Sequence, residues 1–230
     1  MQALHHNKKI RLIPGQGFSD DAINSMLDLS KTVANASCFD FSLWNKLPKR
    51  ASKKLTHKHK TENILISEPR QSSENEFLME ILIDEQGEMM RDHQTGLHVQ
   101  GMLLVEAARQ AYLATMEKFY VKNNNEKYYF IFNNLNVEYN RFSFPLPSTI
   151  RLITETMNTS NKKRIHTTTR IELLQCNEIS ASVLMDVSIM PNIRISNMET
   201  KLASQSLNEY MNNVIPNYTC KQRLGEAINA

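Results

Sequence analysis

The chain has 230 residues, 41% of them hydrophobic and 22% charged, which suits one dominant core with extensions and excludes a chain disordered throughout. Its 27 Lys and Arg against 24 Asp and Glu leave a net charge of +3, too small a bias to name a partner. No stretch approaches the roughly 18 apolar residues of a spanning helix, Met1 to Lys9 lacks the apolar segment of a signal peptide, and Cys38, Cys176 and Cys220 form no C-x-x-C pair. The expectation is a soluble cytoplasmic protein with reduced thiols, neither in a membrane nor held by a cysteine zinc site.

The first 55 residues read as an extension. Ser19 is a plausible N-cap, and Ile23, Met26, Leu27 and Val33 follow at roughly helical spacing, so a short amphipathic helix is predicted there. Pro14 to Gly17 reads as a turn: Gly15-Gln16-Gly17 lacks the third glycine of a dinucleotide fingerprint, no Gly-Lys-Ser/Thr occurs, and the chain holds only six glycines. No nucleotide cofactor is expected. Lys49, Arg50, Lys53, Lys54, His57, Lys58, His59 and Lys60 then form a basic run that marks a candidate boundary. Its His57-Lys58-His59 lacks a third metal ligand at a sensible spacing, so no metal is expected. No recognition motif accompanies the run, so no nucleic-acid partner is expected.

Asn63 to Ser67 and Phe77 to Ile83 are apolar, β-favouring segments separated by a turn-like stretch from Pro69 to Asn75. His98 to Val121 is the strongest predicted helix. Met102, Leu103, Leu104, Val105, Ala107 and Ala108 cover nearly its whole circumference, the pattern of a buried helix. Tyr128 to Phe132, Leu135 to Tyr139, Ile150 to Met157, His166 to Gln175 and Ile179 to Met190 are alternating and β-branched. Two strands, one long helix and several more strands make an α+β order: an antiparallel sheet wrapped on a central helix. Beyond Pro191 the chain is polar and Asn-rich, with a weak helix predicted over Glu199 to Asn212 and a tail over residues 193–230.

Charge placed inside that apolar helix is the useful anomaly, because an unpaired buried charge costs several kcal/mol and must be paired or used. Glu106 and Arg109 lie three apart on one helical face with Gln110 adjacent. Just before the helix come His93 and His98, candidates for general acid or base. Gly101 near the helix start lets a substrate approach the backbone, where free N–H groups can stabilise negative charge developing on a carbonyl oxygen.

The run His98-Val99-Gln100-Gly101-Met102-Leu103-Leu104-Val105-Glu106-Ala107-Ala108-Arg109-Gln110-Ala111 resembles the signature of the A-factor biosynthesis (AfsA-type) hotdog family. Thr56-His57-Lys58, Glu62 to Ser67 and Asp92-His93 resemble flanking segments of the same domain. The resemblance spans about Thr56 to Met190 and implies a hotdog domain over residues 56–192, in which a curved antiparallel sheet encloses a long helix. It further implies acyl transfer in butyrolactone-type signal or secondary-metabolite biosynthesis: a β-ketoacyl group passes from an acyl-carrier-protein or coenzyme A thioester to a hydroxyl acceptor such as dihydroxyacetone phosphate. Carried over by position, Glu106 and Arg109 fall on the motif's acid and arginine and His93 lies near the dehydratase histidine, with His98 competing for that role; Gly101, Met102 and Gln110 would bind substrate. Gln100 stands where the family usually has proline. The chain carries one copy of a motif that full-length butyrolactone synthases carry twice, so a homodimer would supply the second half. A dehydratase or thioesterase, or a non-catalytic acyl-binding module, are the alternatives. Lys53, Lys54, Lys58 and Lys60 would dock an acidic carrier protein.

Overall fold

The computed structural model describes residues 9–32, 35–91, 96–121, 127–161 and 164–214. In chain order the regular elements are β1 (Ile10–Arg11), α1 (Asp20–Thr32), β2 (Phe39–Asp40), α2 (Lys53–Thr56), β3 (Arg70–Ser73), β4 (Glu76–Glu80), α3 (Glu88–Arg91), α4 (Gly101–Thr115), β5 (Tyr128–Tyr139), β6 (Thr149–Asn161), β7 (Arg164–Gln175), β8 (Glu178–Pro191) and α5 (Asn192–Val214). Six strands form one antiparallel sheet in the order β3-β4-β6-β7-β8-β5, while β1 and β2 make a short parallel pair.

The central helix is shorter than the predicted His98 to Val121 at both ends: it starts at Gly101, with Gln100 still extended, regular α-helix stops at Thr115, and a π turn carries the chain over Met116–Tyr120. Ala107, Ala108, Ala111 and Ala114 are fully buried, and such small side chains let the helix lie close to the sheet. Ile150, Leu152, Ile171, Leu173, Val183 and Met185 face it from β6, β7 and β8, each such burial contributing about 1.5–3 kcal/mol. Tyr112 is buried among them. Its hydroxyl meets Thr167 Oγ1 at 2.6 Å, and burial pushes its phenol well above the usual range. Burial around the whole circumference starts only at Gln110, later than the apolar pattern suggests: Met102 is 56% exposed, and Val105, Glu106 and Arg109 are half-buried.

Four local expectations are corrected. Asn63 ends a 3-10 turn, and Ile64 to Ser67 is extended and buried but makes only isolated bridges, because the Leu65 N–H is taken by the side chain of Gln110 (2.9 Å) and not by a neighbouring strand. The stretch read as a turn contains β3, a short exposed polar strand whose turn is only Glu74-Asn75; polar residues suit an edge strand, which must not recruit another chain. Tyr128 to Phe132 and Leu135 to Tyr139 are one strand interrupted by a bulge at Asn133. The weak helix expected near the end runs longer, through all of α5, of which only Ile195 is buried. No described helix is long and apolar enough to cross a membrane.

The extension is tied down by side chains. Ser19 caps α1, accepting from the Ala22 N–H (3.1 Å); Val33 lies outside the described residues. Gln16 docks its amide on Ile81 O and the Ile83 N–H (2.8 and 2.7 Å). Arg50 does most of the tying. Its side chain is 6% exposed, and its guanidinium donates to Ile64 O and Leu82 O (both 2.6 Å) and to Asp20 Oδ1 (2.9 Å), with Asp84 at 3.7 Å. A fork that serves two carbonyls and a carboxylate at once has no lysine equivalent. Arg50→Lys is therefore expected to cost about 2–4 kcal/mol in urea unfolding, with two carbonyls and Asp84 left short of partners; a loss under about 1 kcal/mol would contradict this role.

Candidate functional site

The start of α4 is built by its flanks. The Val99 N–H donates to Ser143 O (2.7 Å), fixing the segment before the helix to the loop after β5. Gln100 occupies φ −60°, ψ 134°, the φ being the one that proline's ring would impose, and the helix starts at the next residue. No side chain caps it; the Leu103 N–H turns back to Gln100 O (3.1 Å), and the Gly101 and Met102 N–H groups keep the usual lack of intrahelical partners at a helix start. They open on a groove of about 540 Å³ whose walls include His98, Gly101, Met102, Tyr139 and Phe142. His98 is half-buried, its ring tilted against Phe142 at 4.9 Å between centroids.

Glu106 lies elsewhere on the helix. It lines a smaller cleft with Lys58, Asn63, Leu65 and Glu88, and its side chain is 15% exposed. Oε1 accepts from Lys58 Nζ (2.7 Å), Arg109 Nη2 (2.8 Å) and Gln110 Nε2 (2.9 Å), while Oε2 accepts from Arg109 Nε (2.7 Å). Burial alone would raise its pKa; the hydrogen bonds from Arg109, Lys58 and Gln110 and the charge of Arg109 outweigh burial and hold it at about 2. Arg109 grips the carboxylate bidentately. Gln110 is fully buried and also donates to Asn63 O (2.8 Å), so it stitches α4 to the 63–65 segment and is absent from the groove's walls.

The residues singled out by sequence thus fall into two groups. His98, Gly101 and Met102 share the groove; Glu106 lines the smaller cleft, with Arg109 and Gln110 hydrogen-bonded to its carboxylate. His93 lies outside the described residues. Lys53 and Lys54 stand exposed on α2, whereas Lys60 pairs with Glu88 (2.8 Å) and Lys58 with Glu106. Lys58 reaches Glu106 through the turn at His57, which holds a left-handed conformation (φ 54°) at the end of α2, and His57 itself meets Glu117 at 3.0 Å. Sequence reasoning missed Tyr139 and Phe142 in the groove and the Lys58–Glu106 contact; all depend on long-range placement with no local signal.

A long helix enclosed by a curved antiparallel sheet, with an uncapped start opening on a groove, defines a hotdog-fold domain. The chain belongs to the AfsA family, the A-factor biosynthesis hotdog domain, whose model matches residues 40–191. Among solved structures it is similar to a mutant thioesterase from Pseudomonas aeruginosa (14% identity, TM-score 0.41, covering 55% of this chain and 81% of that one) and to a thioesterase from Haemophilus influenzae (12%, 0.40, 66% and 92%). No curated protein sequence matches it.

The cleft generates a pH prediction. Glu106 titrates near its ordinary value of 4.5 when unfolded and at about 2 when folded, so its ionisation stabilises the fold above about pH 4.5, and that contribution fades as pH falls towards 2. Glu106→Gln is expected to lower stability by about 1–3 kcal/mol at pH 7, leaving Lys58 and Arg109 without a counter-charge. The deficit should shrink below about pH 4 in denaturant midpoints measured across pH. A deficit that stays constant from pH 7 to pH 3 would contradict the assigned titration.

Proposed function

We propose that this protein is an acyltransferase of the AfsA type, moving a β-ketoacyl group from an acyl-carrier-protein or coenzyme A thioester to a hydroxyl acceptor such as dihydroxyacetone phosphate, in butyrolactone-type signal or secondary-metabolite biosynthesis. The observation that carries the reading is the uncapped start of α4 at Gly101, on the family's motif, opening on a largely apolar groove. A thioester carbonyl laid against that start would be polarised by the Gly101 amide and the helix dipole. The acceptor oxygen bonds to the carbonyl carbon, the C–S bond breaks, and the acceptor's proton passes to the departing sulfur. His98, on the groove wall, is the group best placed to relay that proton. His93 keeps its motif-based candidacy.

Glu106 falls on the motif's acid, and we assign it an electrostatic part. With three donors on it and a pKa of about 2, it is a weak base and a strong electrostatic anchor: it keeps Arg109 and Lys58 in place and holds α4 in register. Because Gly101 and Glu106 open on different cavities of one chain, the proposal includes a homodimer. The end of β5 and the loop after it wall the groove, and β5 is an edge strand with Leu135 and Tyr139 exposed, so a copy pairing along β5 would adjoin the site.

Mass spectrometry of products tests the reaction. A β-ketoacyl carrier thioester should give an acylated product only when dihydroxyacetone phosphate is present; free β-keto acid formed equally without it would favour a thioesterase, and binding without turnover an acyl-binding module. Lys53 and Lys54 are proposed to dock the acidic carrier, so neutralising both should lower kcat/KM for the carrier-bound substrate by about three- to tenfold at low salt and spare a free thioester analogue. Sedimentation at micromolar concentration should show a homodimer; a fully active monomer would contradict the shared site.

A further inference from the structure

Tyr139 belongs to the groove for a reason built into β5. Along that strand the residues facing α4 are Phe130, Phe132, Leu135, Val137 and Tyr139, opposite Ile189, Val187, Met185, Val183 and Ala181 of β8. The alternation changes parity between Phe132 and Leu135 because Asn133 is an extra, bulged residue. Without it, every later residue of the strand would turn to the other face, and Tyr139 would point away from the helix. The bulge is pinned: Asn133 Nδ2 donates to Asp186 Oδ1 (2.7 Å) and Ser188 Oγ (2.9 Å).

The ring so placed lies on the start of α4. A Cβ added at Gly101 would sit 2.9 Å from Cε1, Cζ and the hydroxyl oxygen of Tyr139, so any larger residue would push the ring aside, and glycine lets it lie directly on the helix start. The hydroxyl makes no hydrogen bond among the described residues, and Tyr139 remains 53% exposed, on the wall of the same groove as Gly101 and His98. A phenol that had only to fill space here would serve as well as phenylalanine; this one presents an unused donor beside the helix's first amides.

We propose that Tyr139 is a further catalytic residue whose hydroxyl donates to the thioester carbonyl oxygen held at the start of α4, adding a side-chain donor to the Gly101 amide. The proposal rests on the reading of this groove as an acyl-thioester site. It identifies the ligand group as a carbonyl oxygen that gains negative charge during reaction, where a donor fixed in advance contributes more than to the resting substrate.

Tyr139→Phe isolates the hydroxyl, because the ring still covers Gly101. With a β-ketoacyl N-acetylcysteamine thioester and dihydroxyacetone phosphate, kcat should fall about tenfold or more while KM changes less than about twofold. A readout independent of turnover is the infrared carbonyl stretch of a ¹³C-labelled thioester bound to each protein: the band should lie at higher frequency in Tyr139→Phe than in the wild type, as a lost donor depolarises the carbonyl. An unchanged band overturns the role of Tyr139 while wild-type turnover leaves the acyl-thioester reading standing. A wild-type protein that neither binds nor turns over the thioester overturns both.

Discussion

One constraint governs the rest of the molecule: α4 is largely buried, wholly so from Gln110 to Thr115, so most of the polar side chains it carries need partners inside the fold. Three of its side chains show how. Tyr112 meets Thr167 on β7; Gln110 takes the Leu65 N–H and gives to Asn63 O; Glu106 collects Lys58, Arg109 and Gln110. Each contact removes a penalty of about 1–3 kcal/mol for a buried polar group left alone, and each ties the helix to a different part of the chain. The neighbouring structure bends to suit: the 64–67 segment lies alongside β4 without becoming a regular strand because one of its amides is committed to Gln110.

Helix geometry also explains the division of the motif into two sites. At about 100° per residue, Gly101 and Glu106 are about 140° apart around α4, so one chain cannot aim both at a single small group. The amide end faces the groove beside β5, and the acid faces the loop that carries Lys58. The contiguity of the motif reflects the contiguity of the helix. Its residues serve one fold but two surfaces.

The basic run illustrates how composition is reapportioned by packing. Eight cationic or imidazole side chains between Lys49 and Lys60 look alike as a string. In the fold, Arg50 is a buried tie between Asp20 of α1 and the carbonyls of Ile64 and Leu82, Lys58 and Lys60 are committed to Glu106 and Glu88, His57 meets Glu117, and Lys53 and Lys54 stay in solvent. A solvated charge is screened within about 8 Å at physiological ionic strength and contributes little to the fold; Arg50 and Lys58, largely withdrawn from water, contribute more.

The sequence by itself determined the fold class, the position and burial of α4, the order of its flanking strands and the motif that marks the family, since these follow from local periodicity and from residues adjacent in the chain. It also marked Glu106 and Arg109 as partners, because three-residue spacing on a helix makes them neighbours whatever surrounds them. Only the tertiary structure decided that Lys58 completes that pair, that Glu106 and Gly101 face different cavities, and that Tyr139 covers the helix start. Those facts rest on contacts across dozens of residues and on one bulged residue, Asn133, that reverses the facing of half a strand. Side-chain direction in a sheet has a period of two, so a single unpaired residue decides which side chains reach the site; the sequence shows the break between the runs Tyr128 to Phe132 and Leu135 to Tyr139, but only pairing with β8 makes it a bulge within one strand.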